Sequence, residues 1–116
     1  MDSIEQKNNL ETILDESSNL SLNQIRRLLN KMNASEIAHM LESSPPKQRN
    51  LLFSLLKTEE EGDVLFELGE EIQQDLISNI SDEELAEAVK ELELDEIVDI
   101  LQNLPEERMR MILSSM

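Results

Sequence analysis

Three stretches of the chain can be laid over one another so that their leucines coincide: MLESSPPKQRNLLFSLL over 40–56, VLFELGEEIQQDLISNI over 64–80 and ILQNLPEERMRMILSSM over 100–116. Leu41, Leu65 and Leu101 share one position, Leu52, Leu76 and Ile112 another, and Pro45, Gly69 and Pro105 mark the turn between them. Each stretch reads as two short helices with one apolar side. Such a hairpin cannot bury that side alone, so neighbouring hairpins must stack. The repeat predicts an all-α fold, a right- or left-handed superhelix (α-solenoid) of about nine short helices, with the six coincident residues in its core.

The helices are expected near 4–15, 21–32, 35–43, 46–57, 59–68, 70–79, 82–92, 95–104 and 105–115. Residues 1–19 are expected to form an N-terminal helix or extension and 20–116 one superhelical domain. Starts are read from capping residues: Ser35, Thr58 with Glu61 three later, Ser81 with Glu84 three later, and Asp95. Pro45, Pro46 and Pro105 suit first-turn positions, and Gly69 suits a helix C-terminal cap. No segment alternates with period two over the length of a strand. With two Gly, three Pro and 2% aromatic residues, the core must be built from Leu, Ile and Met.

Charge is divided unequally along the chain. Residues 1–57 carry seven acids and seven bases, whereas 58–116 carry 19 acids and three bases, so the second half holds all of the net charge of −16. Nucleic acid and anionic membrane surfaces need clustered Lys and Arg and are disfavoured as partners, while divalent cations and basic surfaces are favoured. No apolar run reaches the 18 residues of a membrane span, and the start of the chain lacks the pattern of a signal peptide. A chain ending on the apolar run MILSSM suits a fragment of a longer protein.

Chemistry-bearing motifs are few. One His, no Cys, no Tyr, and no phosphate loop or nucleophile elbow leave nothing for a catalytic constellation, so an enzyme is not expected. His39 lies beside Ile37, Met40 and Leu41 as a packing or partly exposed residue, with nothing near it to complete a zinc site. The methionines, Met109, Met111 and Met116 among them, fill core gaps or an interface more readily than they form an adaptable groove. Glu59, Glu60 and Glu61 load a helix N-terminus, where dipole stabilisation is reason enough.

The acids of 83–99 differ, because they recur on successive turns with only Lys90 to offset them. Asp95 and Asp99 stand one turn apart on the apolar helix whose core side is read as Ile97, Val98, Leu101 and Leu104. Like charges at that spacing repel by a few tenths of about a kcal/mol. A solvated acidic face explains them; so does a hard cation or a basic partner. Oxygen ligands alone suit Mg²⁺, Ca²⁺ or Mn²⁺, no EF-hand loop is present, and a hydrated Mg²⁺ needs only one or two carboxylates.

The patterns ASEIAHMLESSPPKQRNLLFSLL, DVLFELGEEIQQDLISNIS and DEELAEAVKELELDEIVDILQNLPEE together resemble the intracellular N-terminal domain of the MgtE family of magnesium channels and transporters. The resemblance spans about 20–116 and rests on spaced Leu and Asp. It implies a superhelical regulatory domain on the cytoplasmic side of the membrane, preceding CBS domains and a membrane pore in a homodimer. Mg²⁺ bound between the N domain and the CBS domains of the same protein would favour the closed pore. The resemblance implies Asp95 and Asp99 as the metal-facing pair, with Glu91, Glu96 and the acids around Glu84 as peripheral contributors. The competing reading is a helical-repeat interaction module like the middle domain of the flagellar motor-switch protein, in which the acids meet basic partner surfaces and metal plays no part.

Overall fold

The structure, a computed structural model, describes residues 21–116; the helix expected at 4–15 lies outside them. Among the described residues there are eight helices and no strand, as the leucine repeat predicts: α1 (Leu22–Leu29), α2 (Ala34–Glu42), α3 (Pro46–Ser54), α4 (Thr58–Glu67), α5 (Glu70–Ile77), α6 (Asp82–Val89), α7 (Leu94–Leu101) and α8 (Glu106–Ser114). None of them is long and apolar enough to cross a membrane. The chain divides at Leu56/Lys57 into two compact units.

In residues 21–56, α1 and α2 open on reciprocal capping boxes. Ser21 Oγ accepts from the Gln24 N–H at 3.2 Å while Gln24 Oε1 accepts from the Ser21 N–H at 3.0 Å. Asn33 and Glu36 do the same at 2.8 and 3.0 Å. Asn33, not Ser35, is therefore the cap of α2, because only Asn33 stands three residues before Glu36 and can complete the box. α2 packs on α3, and Ile25, Leu29, Ile37, Met40, Leu41, Leu52 and Phe53 are buried. Arg49 of α3 is buried with them: its Nε donates to the Leu41 carbonyl and its Nη2 to the Ser44 carbonyl, both at 3.0 Å. The guanidinium thus adds a second donor to the Leu41 carbonyl, which also accepts from the Ser44 N–H, and takes up the Ser44 carbonyl just beyond α2.

In residues 57–116, α4 packs against α6 and α7, and α6 against α8. Val64, Leu65, Leu76, Ile77, Leu85, Val89, Ile100, Leu101 and Ile112 fill the core. All six repeat-equivalent residues predicted to be buried are so. The polar clasp recurs at the equivalent position, where Gln73 Nε2 donates to the Leu65 carbonyl at 2.8 Å. In the third stretch that position is Met109, and the anchoring passes to Arg108, whose Nε donates to Asp82 Oδ1 at 2.7 Å and Nη2 to the Ile77 and Ile80 carbonyls. α8 is tied by it to the turn between α5 and α6. α4 and α6 approach closely, since a Cβ on Gly62 would run into the Ala88 carbonyl oxygen.

Three further expected boundaries shift, and of the prolines expected in first turns only Pro46 is there, Pro45 and Pro105 being the non-helical N-caps of α3 and α8. Ser81 does cap α6, accepting from the Glu84 N–H at 3.0 Å. Thr58, however, is the first helical residue after Lys57, and Glu61 is buried instead of reaching back to a cap. Gly69 does not end α4 in the left-handed region: at φ −61°, ψ 151° it is the extended residue that opens α5. Asp95 lies inside the first turn of α7, which is entered through Glu93.

Candidate metal site on the acidic helix

The apolar residues of α7 fix which way its acids face. Ile97, Ile100 and Leu101 are buried, whereas Leu94 is 73% and Val98 52% exposed. Val98 is therefore not part of the core side expected from the sequence, and Leu104 is half-buried; Ile100 takes the inner position, since the packed stripe runs through i, i+3 and i+4 from Ile97. Asp95 and Asp99, each one residue beyond Leu94 and Val98, are both exposed, as is Glu91. The outer side of α7 thus carries an apolar pair and an acidic pair in parallel files.

Local hydrogen bonds engage part of this carboxylate set. Glu96 Oε1 accepts from the Glu93 N–H at 3.0 Å, fastening the start of α7. Asp95 Oδ1 accepts from the Glu96 N–H at 3.1 Å. Asp99 Oδ1 accepts from Gln102 Nε2 at 3.2 Å. Glu96 is thus a capping residue first, while Asp95 and Asp99 each keep an oxygen outside these bonds. Asp99 also opens onto a shallow cleft that it lines with Phe66, Glu70, Gln73, Gln102 and Asn103.

Glu70, the first residue of α5, is a carboxylate that sequence reasoning did not place near Asp99. Twenty-nine positions separate the two, and nothing local to either marks their meeting. The donors of the cleft are carboxylate and carboxamide oxygens, a hard set that fits an oxygen-seeking, hydrated divalent cation. Among the described residues no three acids or imidazoles converge closely enough to hold an ion by themselves.

A repeat-built all-helical domain with exposed carboxylates along one helix defines a class, the acidic helical-repeat module. The family model of the MgtE intracellular N domain matches residues 32–116, and the chain belongs to that family. It is by family the intracellular domain of a magnesium transporter, a regulatory domain and not a known enzyme type. A comparison with curated proteins gives no match.

Proposed function

We propose that this domain senses Mg²⁺ for a transport protein on the cytoplasmic side of its membrane. In this reading Asp95 and Asp99 supply carboxylates to a hydrated Mg²⁺, and Glu91 and the second oxygen of Glu96 add to the field around it. CBS domains of the same protein, in a homodimer, supply the remaining ligands. The observation that carries the proposal is the pairing of Asp95 and Asp99 on the exposed side of α7 in a chain of this family. The exposed Leu94 and Val98 beside them support it, because they give the same face something to pack against a protein neighbour.

The mechanism is differential affinity. An ion shared between two acidic surfaces relieves their repulsion only when they are together, so it favours the closed arrangement by as much as it binds that arrangement more tightly. The chain alone offers half a shell. At a Mg²⁺ concentration near Kd, its stabilisation is RT ln 2, about 0.4 kcal/mol.

The test is Asp95→Asn with Asp99→Asn, which keeps shape and removes two charges. The 116-residue chain should be no less stable without Mg²⁺, by urea unfolding. The intact transporter carrying both changes should need more Mg²⁺ to close, measured as ion flux against Mg²⁺ concentration. Closure at the parent concentration would remove these carboxylates from sensing and favour the interaction-module reading.

A further inference from the structure

The α4–α6 contact contains a group that the sensing reading does not use. Glu61 is 5% exposed, and its Oε2 has no hydrogen-bond partner. The charge of Glu84, an exposed carboxylate on α6, acts on Glu61. A buried carboxylate oxygen with no donor is costly to keep ionised, and a second negative charge nearby adds to that cost, so the site favours a protonated Glu61. Next to it, Gly62 lies so close to the Ala88 carbonyl that the helices have little room to part around a hydrated charge.

The cation nearest in sequence, Lys57 at the N-cap of α4, is exposed and is not among the groups that act on Glu61. The charged residues of α6 are Asp82, Glu83, Glu84 and Glu87, and those of α7 are Asp95, Glu96 and Asp99; all are acids. Asp82 is bound by Arg108, and Lys90, just beyond α6, pairs with Glu87 at 2.8 Å. On α4 itself the other charged groups are Glu59, Glu60, Asp63 and Glu67. Burial, and then the charge of Glu84, push the Glu61 carboxyl up to about 8.

We propose that a proton kept on the buried Glu61 holds α4 against α6, so that the second unit is fastened by protonation and loosens when the proton leaves. The tie does not depend on the sensing reading. Its consequence for Mg²⁺ does, because α7, which bears Asp95 and Asp99, also packs on α4.

The sign follows from linkage. The native state keeps a proton that the unfolded chain releases above about pH 4.5, so stability present in acid is lost as pH rises from there through about 8 and is level beyond. Within that window a single proton makes the unfolding equilibrium constant rise by about tenfold per pH unit.

Urea unfolding of the 116-residue chain, followed by circular dichroism between pH 5.5 and 9, should show this fall in the parent and not in Glu61→Gln. The difference between the two curves isolates Glu61 together with the Glu84 carboxyl that it is coupled to. A carboxyl ¹³C titration of the parent should place Glu61 near 8, and Glu84→Gln should move that point down. Parallel pH curves for the parent and Glu61→Gln would overturn the proposal. So would a Glu61 resonance titrating in the ordinary carboxylate range, or one unmoved by Glu84→Gln. If Glu61→Gln fails to fold, the parent and Glu84→Gln titrations decide alone.

Discussion

Arg49 in residues 21–56 and Glu61 in residues 57–116 are both charged residues with little exposure, 8% and 5%, yet their surroundings are opposite. Arg49 points two of its donors at carbonyls at the end of α2 and just beyond it, and the positive charge meets the negative end of a helix. Glu61 feels the charge of a second carboxyl group and has a buried oxygen with no partner. A buried arginine with matched acceptors can stay charged and act as a rivet. A buried glutamate facing another acid can be accommodated only by giving up its charge, which makes the contact answer to pH. Burial alone therefore says nothing of a charged residue's role; the partners decide it.

Three substitutions sharpen this contrast, and the largest effect is expected at the rivet. Arg49→Leu fills much of the space but removes both charge-assisted bonds, taking one of two donors from the Leu41 carbonyl and the guanidinium from the Ser44 carbonyl, and should destabilise the first unit by about 2–4 kcal/mol. Amide hydrogen exchange would localise the loss to α2 and α3. If protection there is unchanged, the guanidinium is not what closes that helix end.

Gly62→Ala comes next. On an exposed helix this change would gain up to about 1 kcal/mol, but here the new methyl meets the Ala88 backbone, so a net loss of about 1–3 kcal/mol is expected in the second unit. A stabilised variant in thermal unfolding would show that α4 and α6 are free to move apart, and would weaken the case for a tight seat around Glu61.

The smallest effect belongs to Gln73→Leu, which removes a neutral clasp from one carbonyl at the position equivalent to Arg49. A loss of about 1–2 kcal/mol is expected by urea titration. A loss as large as that of Arg49→Leu would mean that the charge of the arginine adds nothing to the clasp.

The core was legible from the sequence because a leucine repeat states directly which residues must be hidden: Leu41, Leu52, Leu65, Leu76, Leu101 and Ile112 are all buried. Helix starts were less so. Ser35, Thr58 and Asp95 have the right residue types, but the reciprocal bond also needs the right partner three positions on, and Asn33 with Glu36 outcompetes Ser35. On α7 the inner side was read one step off, through Val98 instead of Ile100, because an all-apolar run permits either stripe. Asp95 and Asp99 were legible as a pair, since their spacing is local. Glu70 beside Asp99 and Glu84 against Glu61 were not, because each meeting is made by folding across more than twenty residues, and Glu61 looked like one more acid at a helix start.

Among the described residues the backbone never enters the positive-φ region. Every connection between helices is therefore made from conformations open to any L-amino acid. What the turn residues answer to is the capping bonds they make, as Ser21, Asn33 and Ser81 do, so a substitution there is felt through a lost bond and not through a strained backbone.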